Sequence, residues 1–168
     1  MLKTTITRTS WLLALTALLL SPLVHSNAND PVVLVVTGKH GVETQQEPLE
    51  IKFSELKGLP SETITTTTPW TEGKVTWEGV RISTLMEYLK TPSVRFHASA
   101  LDGYEILFEG VDIEKYPVII AYKKDGDYMS VRKLGPLWIM FPFDDYKELS
   151  PAKFRNLAVW QLTSIEIL

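Results

Sequence analysis

The chain has 168 residues, 45% of them hydrophobic, with a formal net charge of −3 and no cysteine. That composition holds enough apolar mass for one core and gives nucleic acid or an anionic membrane no general electrostatic hold. Without cysteine there are no disulfides, no thiolate chemistry and no sulfur-based metal site, so stability must come from packing.

In chain order, residues 1–28 read as a secretory signal peptide. Lys3 and Arg8 supply positive charge, "WLLALTALLL" the apolar stretch, and Ser26 and Ala28 small residues for a cut. The apolar run falls short of the roughly 20 residues that cross a bilayer, and Pro22 would break a continuation. The expectation is export to the periplasm, with an uncleaved N-terminal anchor as the alternative. Residues 29–168 then form one domain.

"PVVLVVTG" is a β-branched strand closed by glycine, and "LEIKFSELKGLP" a strand running into a short helical turn. "ETITTTTP" is a strand because the branched Cβ of threonine stiffens extended backbone. "KVTWEG" either pairs back on it or loops. "RISTLMEYLK" is the best helix, with Ser83 as its cap and Leu85, Met86 and Leu89 as its apolar face. "SVRFHA", "YEILFEG" and "PVIIAYKK" are strands, and Asp125 with Gly126 marks a hairpin. "PLWIMFPF" reads as a buried strand, "SPAKFRNLA" as a short helix with Ser150 as cap and Pro151 at its first position, and "VWQLTSIEIL" as a last strand. The fold class is α+β: one strand-rich domain with one good helix and two short ones.

Most catalytic patterns are missing. His40 and His97 sit in no nucleophile elbow and at no metal-ligand spacing, and read as surface or edge histidines. Asp144 and Asp145 are adjacent, so in extended backbone they would face opposite ways and suit a solvated loop better than a general acid/base pair. Two features point to a binding site instead. The loop "MSVRKLGPLW" sets Arg132 and Lys133 before Gly135 and Pro136, placing cations beside a backbone that permits close approach. Trp70 and Trp77 have polar neighbours, which suits a rim that stacks a flat heterocycle or anchors a partner.

Three stretches in order carry a family resemblance: "W-x-G-V-x-I-x-x-L" (Trp77, Gly79, Val80, Ile82, Leu85), "D-G-Y" (Asp102, Gly103, Tyr104) and the "G-P-L-W" strand followed by a proline. Over residues 31–168 the chain resembles the molybdopterin-binding domain of the sulfite oxidase family. The resemblance implies a mixed α+β domain whose loops surround a pterin dithiolene carrying molybdenum. In the family's enzymes a cysteine on the loop after the threonine-rich strand completes the metal's coordination; here that loop reads "TTTTPWTEG".

The chain is also similar to small exported members that bind pterins and partner membrane receptors with diguanylate cyclase and phosphodiesterase (GGDEF/EAL) domains. The expectation is therefore a non-catalytic periplasmic pterin-binding protein that regulates cyclic di-GMP signalling. Trp70 would stack on the ring, helped by Trp77 or Tyr104. Arg132 and Lys133 would meet the pterin carbonyl or an acidic tail, Gly135 and Pro136 would complete the rim, and Asp112 would accept from the 2-amino group. Two other readings stay open: a molybdenum cofactor-dependent oxidoreductase with oxygen in place of the thiolate, and an interaction module with no small ligand.

Overall fold

The structure, a computed structural model, describes residues 30–43, 48–92, 95–149 and 152–168, and of residues 111 and 112 only the backbone. The signal-peptide reading and the cap at Ser150 and Pro151 lie outside the described residues. In chain order the first elements are β1 (Val32–Gly38), β2 (Leu49–Lys52), α1 (Phe53–Gly58), β3 (Ser61–Thr67), β4 (Lys74–Arg81) and α2 (Ile82–Tyr88). There follow β5 (Phe96–Ala100), β6 (Glu105–Phe108), α3 (Gly110–Glu114), β7 (Ile119–Lys124), β8 (Asp127–Tyr128), β9 (Trp138–Met140), α4 (Ala152–Leu157) and β10 (Leu162–Ile167).

The strands form two five-stranded sheets, as the α+β expectation requires. The first runs β2-β1-β10-β5-β6, with β1 and β10 parallel and every other pair antiparallel. The second runs β3-β4-β7-β8, with β9 also paired to β7. Period-2 alternation turns one face of β3, β4 and β5 inward, while β9 and the first four residues of β7 are buried on both faces. In β4, Val75, Trp77 and Gly79 point in, while Thr76 and Glu78 are only half-buried.

"KVTWEG" pairs back on the threonine strand along its whole length, from Thr67 opposite Lys74 to Ser61 opposite Val80. Across this ladder the Thr65 and Thr76 hydroxyls meet at 3.1 Å, a cross-strand pair of the kind that stabilises antiparallel sheets. The hairpin between β7 and β8 turns on Asp125 and Gly126, with φ of +49° and +87°, the left-handed pair that a tight two-residue turn needs.

α2 buries Leu85 and Met86 and ends just before buried Leu89, as its periodicity predicts. Its cap is different from the expected one. Extended Arg81, not Ser83, occupies the N-cap, and no side chain bonds the first turn. The Arg81 guanidinium instead grips Glu62 through Nε to Oε2 and Nη2 to Oε1. Ser83 falls inside the helix because the strand continues to Arg81 before the chain turns.

Apolar side chains gather into a large cluster that includes β1, α2, β5 and β10, and a smaller one built on the second sheet. The smaller cluster holds Ile64, Val75, Trp77, Ile119, Ala121, Met129, Trp138 and Met140. Its backbone packing is tight at Gly79, where an added Cβ would lie 2.2 Å from the Ile120 carbonyl oxygen. Gly79→Ala is therefore expected to push β4 off β7 and lower stability by about 1–3 kcal/mol, read as a lower urea midpoint.

Candidate functional site

The site grows from the place where the two sheets are tied together. Trp138 of β9 forms an isolated antiparallel bridge with Trp160, just before β10. Ile139 N–H donates to the Val159 carbonyl at 2.8 Å, and Trp138 Nε1–H donates to the Ala158 carbonyl at 3.2 Å. These bonds fix the segment ahead of β10 against the second sheet. The aromatic cluster follows: Trp138 lies 5.0 Å from Trp77 and 6.0 Å from Trp160, ring centre to ring centre. Trp70 closes it from the loop between β3 and β4, at 6.0 Å from Trp138, 5.7 Å from Trp160 and 6.4 Å from Phe143. Edge-on and tilted packing of this kind suits the ring quadrupoles.

The threonine run holds that loop. Thr67 donates its hydroxyl to Asp144 Oδ1 at 2.5 Å and its N–H to Oδ2 at 3.1 Å. In return Asp144 N–H donates to Thr66 Oγ1 at 3.0 Å. Lys74 Nζ stands 3.4 Å from Asp144 Oδ2. Within the loop, the Thr68 and Thr71 hydroxyls meet at 2.7 Å, and Trp70 N–H donates to Thr68 Oγ1 at 3.3 Å. Each threonine from 66 to 68 thus has a bond to make, and together they set where the indole lies.

Asp144 is the solvated loop carboxylate that its sequence suggested, but it also latches the end of β3. The Thr67 hydroxyl foremost, then the Thr67 N–H and Lys74, holds its pKa below the usual carboxylate value against the opposing effect of burial. A carboxylate with a folded pKa below its unfolded value adds stability that is present above about pH 4 and lost as pH falls through the folded value. Asp144→Asn is expected to lower the melting temperature at pH 7 by a few degrees, on the order expected for a lost charged hydrogen-bond network. The gap to wild type should begin to narrow below about pH 4 and close only once the pH has fallen past the lowered folded value.

Trp70 is half-buried and is shared by two cavities. The smaller, of about 200 Å³, is walled by Trp70, Trp160, Tyr104, Asp102, Arg155 and Asn156, with Ala100, Ala158 and Val159 behind. Tyr104 holds its place by donating its hydroxyl to the Asn156 carbonyl at 3.1 Å. The larger, of about 470 Å³, has Trp70, Met129, Leu134 and Trp138 among its apolar walls and Lys124, Lys133, Asp125, Asp127 and Tyr128 among its polar ones.

Of the residues singled out in the sequence, the fold brings Trp70 and Tyr104 together at the smaller cavity and places Lys133 at the larger one. Arg132 is exposed on the same short turn as Lys133 and lines neither cavity. The rim role of Trp77 is corrected: the ring is wholly buried, because it sits at an inward position of β4 opposite Ile64. Gly135 is not at a rim either. It is buried, and an added Cβ would lie 2.5 Å from Met129 Cβ, so its missing side chain serves packing. Half-buried Pro136 lies beside it, outside both cavity walls. Asp112 lies in α3, and its side chain is outside the described residues.

The residues that sequence reasoning missed are Asp102, Arg155, Asn156 and Trp160. Trp160 has apolar neighbours and reads as core, and Arg155 is one exposed cation on a short helix. The "D-G-Y" motif did carry a signal, since it places Asp102 and Tyr104 on either side of a turn glycine.

The residues present do not fit a metal held by a protein thiolate. The sequence has no cysteine, and among the described residues no three His, Asp or Glu side chains gather as a metal-binding group. The loop after the threonine strand offers an indole to the cavity instead.

No protein-family model matches the sequence, and comparison with curated proteins finds no relative. Among solved structures the chain is similar to the sulfane dehydrogenase SoxCD from Paracoccus pantotrophus, with a TM-score of 0.56 and 16% sequence identity. The match covers 80% of this chain and 37% of the dehydrogenase chain, so this protein spans well under half of that one. At this identity the likeness is one of fold: the two-sheet α+β scaffold is shared.

Proposed function

We propose that this chain is an exported, non-catalytic pterin-binding protein, with the ring seated in the cavity between Trp70, Trp160 and Tyr104. The observation that carries the reading is this small cavity, which combines three aromatic walls with one carboxylate and one guanidinium. At about 200 Å³ it is smaller than the roughly 300–1,000 Å³ of drug-sized ligand sites. It therefore suits a single flat bicycle better than a dinucleotide. The fold shared with a sulfane dehydrogenase supports a scaffold of the sulfite oxidase type, and the resemblance to that family supplies the pterin.

Export rests on the charge and hydropathy pattern of residues 1–28. The regulated partner is the periplasmic segment of a membrane GGDEF/EAL receptor, a role drawn from the resemblance to small exported pterin binders. Coupling to such a receptor requires that it bind the loaded and empty forms with different affinity.

The test is a fluorescence titration of the protein with tetrahydro-, dihydro- and oxidised pterins. Binding should quench the cluster of tryptophans and saturate at one ligand per chain. A flat titration with all three classes would remove the proposal. The shared fold also favours a second reading, a molybdenum oxidoreductase with oxygen in place of the thiolate. Metal analysis of protein purified from its own cell envelope separates the two, since only the second expects stoichiometric molybdenum.

A further inference from the structure

Two opposite charges line the smaller cavity without neutralising each other. Asp102 and Arg155 both belong to its wall, yet no ion pair joins them, and the Arg155 guanidinium has no partner among the described residues. Asp102 is held in place from behind: its Oδ1 accepts the Tyr104 N–H at 3.0 Å across the turn between β5 and β6. Its Oδ2 accepts no hydrogen bond among the described residues. A fixed carboxylate with an open oxygen is an acceptor for adjacent N–H donors, and a guanidinium is a donor only. Between three aromatic walls, that arrangement matches a flat ligand with donors on one edge and acceptors on another.

On the pterin site proposed above, we infer that Asp102 selects ligands bearing a 2-amino-4-oxopyrimidine edge, with Arg155 facing the ring's carbonyl side. The ring N3–H and the 2-amino group are neighbouring donors and meet the carboxylate. The 4-oxo oxygen accepts from the guanidinium, joined by N5 in the oxidised and 7,8-dihydro forms, where that nitrogen carries no hydrogen. Lumazine carries a 2-oxo group in place of the 2-amino group, so it sets an oxygen against the carboxylate and loses one bond while gaining a repulsion. Asp102 is itself exposed, so the rejection arises where a bound ring covers the carboxylate and offers it no donor. The role that the sequence gave to Asp112 thus has a candidate on the cavity wall itself. Guanine presents the same edge, so the selected chemistry is shared by pterins and guanine nucleosides.

The test is calorimetric titration of the full chain with pterin, lumazine and guanosine, repeated on Asp102→Asn. The amide keeps an oxygen for the Tyr104 N–H, so this variant removes the charge without removing the turn's bond. Pterin should bind wild type at least about tenfold more tightly than lumazine. Asp102→Asn should reduce that preference to near unity, with lumazine affinity unchanged or higher. Equal affinities in wild type, or a preference that survives in Asp102→Asn, would overturn the role of Asp102 while leaving pterin binding intact. Guanosine binding more tightly than pterin, with the same loss in Asp102→Asn, would support the edge selection and overturn the pterin reading. Absence of binding by all three would overturn both.

Discussion

Replacing Trp70 by alanine is expected to weaken binding of a pterin by about 10- to 100-fold, the range that one aromatic stacking platform contributes for a planar base. The expectation follows from the position of the ring. It is half-buried, it walls the smaller cavity, and its ring packs against Trp138, Trp160 and Phe143. A rigid, supported ring offers its face without an ordering cost, which is why the support matters as much as the face. Trp70→Phe keeps a smaller face and should lose less affinity than alanine. Calorimetric titration of both variants checks this, with circular dichroism to confirm that the fold is retained. An unchanged dissociation constant for Trp70→Ala would move the site away from this loop.

Trp138→Ala should have the largest effect on stability, a loss of about 3–5 kcal/mol. That is a large share of the 5–15 kcal/mol that holds an ordinary domain folded. Trp138 is 1% exposed, sits among the rings of Trp70, Trp77 and Trp160, and its indole N–H joins the two sheets through Ala158. Alanine would leave a cavity at the centre of the smaller cluster and an Ala158 carbonyl without its donor. Urea unfolding at 25 °C should show a midpoint lower by about 2 M. Trp138→Phe should fall between, since it restores part of the volume but not the hydrogen bond. A midpoint for Trp138→Ala within about 0.5 M of wild type would mean that the junction of the sheets is held elsewhere.

What the sequence made legible is what depends on near neighbours. The hairpin at Asp125 and Gly126 follows from two residues that tolerate positive φ, and the buried face of α2 follows from the spacing of Leu85, Met86 and Leu89. The burial of Trp77 was also there to be read, in the alternation of Val75, Trp77 and Gly79 with Thr76 and Glu78. Its polar sequence neighbours misled because in a strand they point to the opposite face. Arg132 and Lys133 are adjacent on one short turn, but only Lys133 reaches a cavity wall.

The rest depends on contacts between distant parts of the chain. Thr67 and Asp144 are 77 residues apart, and nothing local in either stretch announces that one closes the end of the other's strand. Tyr104 and Asn156 meet across 52 residues, and this contact brings α4, with Arg155, to the cavity wall. Trp160 reaches the site because β9 is bridged to the segment just before β10, which places a tryptophan that reads as core in the wall of a cavity.

The cavity beside Trp70 is the proposed seat of a flat pterin ring without a protein-held metal. A crystal structure of the protein soaked with tetrahydropterin tests it most directly. Ring density is expected in the cavity walled by Trp70, Trp160 and Tyr104, at stacking distance from at least one indole and with Asp102 and Arg155 at its polar edges. A pterin bound at another surface, or that cavity left empty at saturating ligand, would contradict it.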